Sequence, residues 1–590
     1  MRASMDRVDV PCMRLHPPME DSGAPSETVV KTVVTTAVSV SLPSWQDTVG
    51  WAQRDPDVIA SLQTGYPRFF IPRLVDRLAA HLLQWLMSRS EQWSMPCSQT
   101  TPDEERGERP ALLAMVFPHV RLGWSCVEYL DGVEQHQSSV GARILAFQVN
   151  LTGHVEAVSS GHVSSIADFP QSLCVVVYPE GLFTEAKAFW QHTGFGISSR
   201  HAAYWSTNAP FLRHGPDVDV DGDGAQRGVP PSLPDAKDAA DIIKHRIAEL
   251  SSSTAGSVQA DDVFLYSTGM SAIANSASAL CSLHRGSDEP FRVGVFGFVY
   301  VDSFKVLTKV KKFECKLYGH ASRSDMDQLE RDLRDGGTRI HALYMEFPGN
   351  PLLQSHDLHR LHALSRRFNF HLVVDDTVGT AVNLELAPFC DVLCTSLTKM
   401  FSGGCNVMGG SVTVSPDCLD RDALLATLRS QHLDTFFPED VLVVEANSRD
   451  FAQRMSTANS NAEALAERLR RHPLVDEVFY PRGSATQHLY ERYKRRRAEA
   501  GYGFLLSVRF VKPAAAIAFY DALGLAKGPS LGTNFSLSCA YTWLAHAGEL
   551  EWAASFGVVE HLVRMSVGVE AREHLEGRID AALEAAGEAC

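Results

Sequence analysis

His371-Leu372-Val373-Val374-Asp375-Asp376-Thr377 and Val392-Leu393-Cys394-Thr395-Ser396-Leu397-Thr398-Lys399, the latter running into Ser402-Gly403-Gly404, decide the fold. Each opens as a short apolar run suited to a buried strand and closes on a charged residue among small polar ones. Outward from this pair, short apolar runs predict strands at Val263–Tyr266, Arg292–Phe296, Ile340–Met345, Phe370–Val374 and Val392–Thr395, alternating with helical patterns. That alternation is the signature of strand–helix–strand units around a mostly parallel sheet. Ligands in such open α/β sheets sit beyond the carboxyl ends of the strands. Here those ends carry Ser267-Thr268-Gly269-Met270, Glu346 to Asn350, Asp375 and Lys399.

Those four stations suggest a common chemistry. A lysine such as Lys399, partly buried beside hydroxyl groups, has a lowered pKa and a free lone pair that can form an imine with an aldehyde. Taken alone, it reads far more readily as a solvated lysine closing a strand. Asp375 is expensive to bury unpaired and calls for a cationic partner. A protonated pyridine nitrogen would serve, because a carboxylate there keeps the ring of pyridoxal phosphate able to accept electrons; the alternative is an N-cap for the segment after Asp376. A phosphate needs backbone donors, and Ser267-Thr268-Gly269-Met270-Ser271 joins a strand to a helix whose N-terminus favours an anion, with Gly269 permitting close approach.

Composition bounds the rest. The 590 residues are 45% apolar and 21% charged, ordinary for a soluble globular chain, and leave room for two to four domains. With 54 basic against 70 acidic side chains the net charge is −16, which argues against nucleic acid or an anionic membrane as a partner. The 12 cysteines form no CxxC pair, no stretch nears the ~18 apolar residues of a membrane span, and no secretory signal is evident. A cytoplasmic protein with reduced thiols is the expectation.

Residues 1–28 read as a disordered tail and 29–190 as an N-terminal region, with helix-like Leu74–Leu86, strand-like Leu173–Val177 and a polar stretch Ser98–Glu108, to which no chemistry attaches. Gly215–Pro234 reads as a linker insertion within 191–440. Its Asp217, Asp219, Asp221 and Gly222 imitate a calcium loop, but the twelfth position is Gly228 where a bidentate Glu is required, and no metal site is expected. Ala239 to Leu250 has helical spacing. A long helical stretch from about Asp440 through Arg471 leads into Val475–Tyr480, Phe504–Phe510 and a final helix, a smaller α+β domain over 441–590.

Taken together, Ser267–Ser271, Glu346-Phe347-Pro348-Gly349-Asn350-Pro351, Val374–Thr377, Ser396–Lys399 and Val563-Arg564-Met565-Ser566-Val567-Gly568 resemble the Cys/Met-metabolism family of pyridoxal-phosphate enzymes. The likeness covers roughly 35–590. Its fungal cystathionine gamma-synthase branch is marked by Ser41-Leu42-Pro43-Ser44-Trp45, Thr64–Phe70, Trp190–His192 with Gly196–Arg200, and Gly528-Pro529-Ser530-Leu531-Gly532-Thr533. The resemblance implies an aspartate-aminotransferase-like (fold type I) architecture: a fungal-type N-terminal extension (29–190), a large cofactor-binding domain (191–440) and a small C-terminal domain. It implies that Lys399 carries pyridoxal 5'-phosphate as an imine and that Asp375 pairs with the ring nitrogen. Ser267, Gly269, Met270, Ser396 and Thr398 hold the phosphate, Tyr300 stacks on the ring, and Asn350 contacts the cofactor or the substrate carboxylate region. Arg564, assisted by Ser530, clamps the amino-acid α-carboxylate, since a planar guanidinium can grip it with two parallel hydrogen bonds. Ordinary alternatives stand beside these: a core tyrosine at 300, a turn residue at 350, a surface ion pair at 564.

One motif departs from the family. Where many members carry Tyr-x-Arg reaching across a dimer interface to the phosphate, this chain has Ser198-Ser199-Arg200. Arg200 keeps that role by likeness, while the tyrosine's is open between Tyr66 and Tyr204. Cys405 is read as packing. The implied activity is γ-replacement on an O-acyl-L-homoserine, with cysteine giving cystathionine, in a homotetramer built from dimers that share active sites. The alternatives are a specialised enzyme using O-acetyl-L-homoserine with another sulfur, carbon or nitrogen nucleophile, a β- or γ-lyase, and an inactive regulatory subunit.

Overall fold

A computed structural model describes residues 39–62, 71–89, 111–137, 144–159, 169–212, 233–284, 289–335 and 339–590. The readings placed on residues 1–28, Thr64–Phe70, Ser98–Glu108 and the Asp217–Gly222 loop lie outside these. The described residues form two compact units: one from those between 71 and 236 with 433–441, the other from 39–62, 237–432 and 442–590.

The first unit is built on an antiparallel sheet of β1 (Leu112–Phe117), β2 (Leu145–Asn150), β3 (Val155–Val158) and β4 (Ser172–Pro179), in the order β1-β4-β2-β3. β4 is buried along its whole length, as its run of valines requires of a strand covered on both faces. The helix Arg73–Met87 turns Val75, Leu78, Ala79, Leu82 and Leu86 inward, the 3.6-residue stripe of an amphipathic helix. They join Val175, Trp205 and Phe211 in one core. Phe437 enters the same core and stacks on His201 with ring centroids 4.7 Å apart.

The second unit carries a seven-stranded sheet of β5 (Val263–Tyr266), β6 (Arg292–Phe296), β7 (Glu314–Tyr318), β8 (Ala342–Glu346), β9 (His371–Asp375), β10 (Val392–Ser396) and β11 (Gly410–Val414). The order is β5-β11-β10-β9-β8-β6-β7, and only β11 runs against its neighbours. The five expected strands are present within one or two residues. β7 and β11 are additions: β7 is an edge strand whose Glu-Cys-Lys-Leu-Tyr alternates in exposure, and β11 follows a glycine-rich run that masks its strand pattern.

A smaller sheet, β12 (Val475–Phe479), β13 (Leu505–Phe510), β14 (Ala526–Lys527), β15 (Leu537–Ala540) and β16 (Val563–Ser566), has the order β12-β13-β16-β15-β14. The helices Phe451–Arg470, Pro513–Ala522 and Arg572–Glu588 supply its core through Leu465, Leu469, Phe519, Leu575 and Ile579. The Ser41–Trp45 motif is fastened here: the Leu42 N–H donates to Lys527 O at 3.1 Å, the Trp45 N–H to Asp521 Oδ1 at 2.7 Å, and Tyr520 OH to Leu42 O at 3.1 Å.

The long helix expected over 440–471 is two helices, Pro438–Asn447 and Phe451–Arg470. Ser448 and Asp450 are short polar residues that compete for backbone hydrogen bonds. The Ser448 hydroxyl donates back to Glu445 O at 3.1 Å and accepts from Arg246. Arg454 Nη2 then donates to Asn447 O, 2.9 Å away, satisfying a carbonyl that the interrupted helix leaves open.

Candidate active site

The carboxyl ends of β5, β8, β9 and β10 converge as the strand order requires. After β5, Thr268 caps the helix Gly269–Leu283: its Oγ1 accepts from the Ser271 N–H at 2.9 Å, and its own N–H donates to Ser271 Oγ at 3.1 Å. Gly269 and the buried Met270 form the first turn, where backbone N–H groups lack partners within the helix. Ser267 is half-buried just ahead of it. A Cβ on Gly269 would stand 2.7 Å from Ser396 Cβ, so only glycine lets the helix start approach the end of β10. Ser396 Oγ is buried, with no hydrogen-bond partner among the described residues. A helix N-terminus, a glycine-only approach and an orphaned hydroxyl together suit a phosphate. Thr398 Oγ1 accepts from the Gly409 N–H at 3.1 Å and lies 3.3 Å from Gly409 O, so it braces the loop behind that cradle.

Asp375 ends β9 in register with Cys394 of β10 on one side and Glu346 of β8 on the other. Its Oδ1 accepts from the Thr377 N–H at 2.9 Å, and burial raises its pKa despite that bond and nearby Lys399. A partly buried carboxylate held at a strand end is the partner that a protonated ring nitrogen needs. Lys399 is buried, and desolvation, followed by the Arg564 charge, lowers its pKa to about 7; Cys405 and Asp375 pull the other way. Cys405 is itself buried and packs with Met408 and Phe535.

Gly532, at φ 65°, lies against the backbone of Lys399 and Met400: a Cβ there would be 3.0 Å from Lys399 Cβ. Its N–H donates to Ser566 Oγ at 2.8 Å. This contact brings the Gly528–Thr533 motif and β16 to the lysine. Arg564, on β16 and 5% exposed, donates through Nη2 to Pro529 O (2.8 Å) and Ser530 O (3.1 Å) and through Nη1 to Asn350 Oδ1 (3.2 Å). Its guanidinium also lies over the Tyr541 ring, 5.0 Å from the centroid. It is a fixed cation in the core of the molecule, not a surface ion pair.

Tyr300, half-buried, caps the short helix Val301–Lys305, and its N–H donates to Glu346 Oε1 at 2.5 Å. The Asn350 N–H donates to the other oxygen, Oε2, at 3.0 Å. Lys399, Asp375, Ser267, Gly269, Met270, Ser396, Thr398, Tyr300, Asn350, Ser530 and Arg564 all belong to the second unit. Arg200 belongs to the first, where its Nη1 is 2.8 Å from Asp440 Oδ1. Ser198 caps the helix Ser199–Asn208, which carries Arg200, by accepting from the His201 N–H. Tyr204 is buried in that unit's core, 5.8 Å from the Phe437 ring. Among the described residues, no group of three or more His, Cys, Asp or Glu could hold a metal ion, and no helix is long and apolar enough to cross a membrane.

Two further contributors lacked a role in the sequence reading. Glu346 stood visible within Glu346-Phe347-Pro348-Gly349-Asn350. Arg454, whose Nη1 donates to Met400 O and Asn534 Oδ1 and whose Nη2 donates to Phe401 O, ties the lysine loop to the Gly532 loop; as one arginine in a helical pattern it gave no signal.

Known proteins match this sequence along nearly its whole length. The family model for the Cys/Met metabolism PLP-dependent enzyme matches residues 239–584, and that for the fungal trans-sulfuration enzyme N-terminal domain matches 74–198. A cystathionine gamma-synthase of Neurospora crassa is 34% identical, the match covering 94% of this chain and 97% of that protein. The cystathionine gamma-synthase-like enzyme iboG2 of Amanita muscaria is 36% identical over 94% of this chain and 95% of its own. In fold, the chain is similar to the cystathionine gamma synthase of Xanthomonas oryzae pv. oryzae crystallised with cystathionine, with a TM-score of 0.51, 24% identity, and coverage of 63% of this chain and 92% of that one. The architecture is therefore that of a fold type I pyridoxal-phosphate enzyme, and the cradle, the carboxylate and the buried lysine are what that cofactor requires. The chain belongs to the Cys/Met metabolism PLP-dependent enzyme family and is a cystathionine gamma-synthase-like enzyme carrying the fungal trans-sulfuration N-terminal domain.

Proposed function

We propose that this enzyme carries out γ-replacement on an O-acyl-L-homoserine, with cysteine as the nucleophile and cystathionine as the product. The observation that carries the reading is the pairing of a buried, easily deprotonated Lys399 with Arg564 held rigidly beside it. Bound pyridoxal phosphate supplies an electron-accepting ring that stabilises negative charge on the substrate carbons next to the amine. Lys399 would hold the cofactor's aldehyde and, with its lowered pKa, is the group placed to move protons at the substrate's Cα and Cβ. Asp375 pairs with the ring nitrogen, and Tyr300 packs on the ring face. Ser267, Gly269, Met270 and Ser396 hold the phosphate, with Thr398 bracing them. Arg564, with Asn350 and Ser530, takes the α-carboxylate. The acyl group leaves Cγ with its bonding electrons, and the cysteine thiolate forms the new C–S bond there.

In this reading the protein is a cytoplasmic homotetramer built from two dimers, in which Arg200 serves the phosphate of a neighbouring subunit. A second reading, a specialised γ-replacement enzyme using O-acetyl-L-homoserine with another sulfur, carbon or nitrogen nucleophile, is supported by the Amanita relative, which is as similar as the Neurospora one. It is also supported by Ser198 standing where many members carry a tyrosine. Mass spectrometry of products from O-acetyl- and O-succinyl-homoserine, each offered with cysteine and with a panel of thiols, amines and carbon nucleophiles, separates the two. Cystathionine as the dominant product supports the first; its absence beside another adduct overturns it.

A further inference from the structure

Glu346 has no place in the chemistry described so far, yet its carboxylate touches two of the site's loops at once. It sits at the end of β8, 6% exposed and in register with Asp375. One oxygen accepts from the Tyr300 N–H at 2.5 Å, and the other from the Asn350 N–H at 3.0 Å. Asn350 in turn accepts from Arg564. Both carboxylate oxygens are thus engaged by backbone donors, an arrangement that an ionised carboxylate satisfies and an amide cannot, because an amide offers one acceptor and one donor. Burying a carboxylate beside a second one is unfavourable. Desolvation, then Asp375, push the Glu346 pKa up, while the Asn350 and Tyr300 N–H donors and Arg564 oppose the shift and favour the ionised form.

We propose that Glu346 is a positioning residue that locks the Tyr300 turn to the Asn350 turn, so that the ring-stacking tyrosine and the Asn350–Arg564 carboxylate clamp are set by one side chain. The inference rests on the site as read above, with Tyr300 on the cofactor, but not on which acyl donor or nucleophile is used. Losing one of two charge-assisted bonds is worth about 1.5–3 kcal/mol, or roughly ten- to a hundredfold in an equilibrium. The effect should fall on alignment rather than on cofactor retention, because the phosphate cradle is built from other residues.

The test compares wild type with E346Q, E346D and Y300A, each saturated with pyridoxal phosphate. Visible circular dichroism per bound cofactor reports how the ring is held, and no substrate is needed. E346Q is expected to retain cofactor affinity within about threefold, to lose at least half of the visible ellipticity, and to show a roughly tenfold or greater fall in kcat/KM. E346D keeps the charge but is shorter, so it is expected to recover part of both signals; it also stands in should E346Q fail to fold. Y300A is expected to lose the ellipticity as well. If Y300A changes the band and the Glu346 variants do not, the role assigned to Glu346 is overturned and the site reading stands. If Y300A leaves the band unchanged, both fall. Loss of thermal stability with unchanged ellipticity and kcat/KM would make Glu346 merely structural and overturn the proposal.

Discussion

Raising the pH through neutrality should switch on the reaction between the apoenzyme and pyridoxal phosphate, because only the neutral amine of Lys399 can attack the aldehyde. Burial and the Arg564 charge bring that amine's pKa to about 7. At pH 7 roughly half of the side chain is neutral, against roughly 0.04% of an unperturbed lysine of pKa about 10.4, a thousandfold enrichment of the reactive form. A depressed lysine pKa means that protonation wins below the midpoint. The second-order rate of cofactor uptake, followed by stopped-flow absorbance, should therefore climb about tenfold per pH unit from pH 5 and level off above about 7. R564Q removes a cation that lowers the pKa, so its plateau should begin at higher pH. The reasoning is refuted by a rate that keeps rising log-linearly through pH 9, as for lysine in solution, or by an R564Q midpoint that moves downward.

The orphaned Ser396 hydroxyl should contribute directly to cofactor affinity. S396A is expected to weaken pyridoxal phosphate binding about tenfold or more in equilibrium dialysis, and an unchanged Kd would remove Ser396 from the cradle. R564K keeps the charge but not the fork that reaches Pro529, Ser530 and Asn350. It should raise KM for the amino-acid substrate at least tenfold with cofactor affinity unchanged, and parallel losses of both would count against the clamp. K399A should abolish turnover; steady-state product formation by that variant would dispose of the imine role. R200A leaves Asp440, whose side chain is only 5% exposed, without its ion pair, which should destabilise the N-terminal unit by about 3 kcal/mol in chemical denaturation. Mixing R200A with K399A subunits, with exchange proven by mass spectrometry, should restore some activity if Arg200 serves a neighbouring site.

The part of the site that is legible in the residues alone is the part that topology delivers. In a parallel sheet, every strand end beyond the carboxyl edge faces the same crevice, so Ser267–Met270, Asp375 and Lys399 could be assembled without knowing the strand order. Arg564 could not. It lies on a strand of a different sheet, and what brings it to Lys399 is the Gly532 turn against the lysine backbone, a contact no periodicity encodes. The edge strand Glu314–Tyr318 was missed because half-exposed alternation over five residues is weak, and β11 because Gly410 and Ser411 read as loop. In the N-terminal unit, Ser172–Pro179 is unmistakably a buried strand, but its pairing with Leu112–Phe117 spans the helix Val120–Gln137 and two further strands, a long-range contact that no local pattern encodes.

The same distinction explains why the departure at Ser198-Ser199-Arg200 is the most informative stretch outside the crevice. Ser198 caps its helix by accepting the His201 N–H, a job for a short oxygen-bearing side chain that tyrosine cannot do. Ser198 also supports Asp440, as does Arg200 two residues on in the same first turn. The replacement is thus built into a local Ser198–Asp440–Arg200 arrangement rather than being a simple loss. An S198Y variant should then weaken that unit through loss of the cap, by about 1 kcal/mol, before any change in chemistry is seen. If S198Y instead proved as stable as wild type in denaturation, the capping account of the missing tyrosine would be wrong, and the serine would have to be explained by what it offers the reaction.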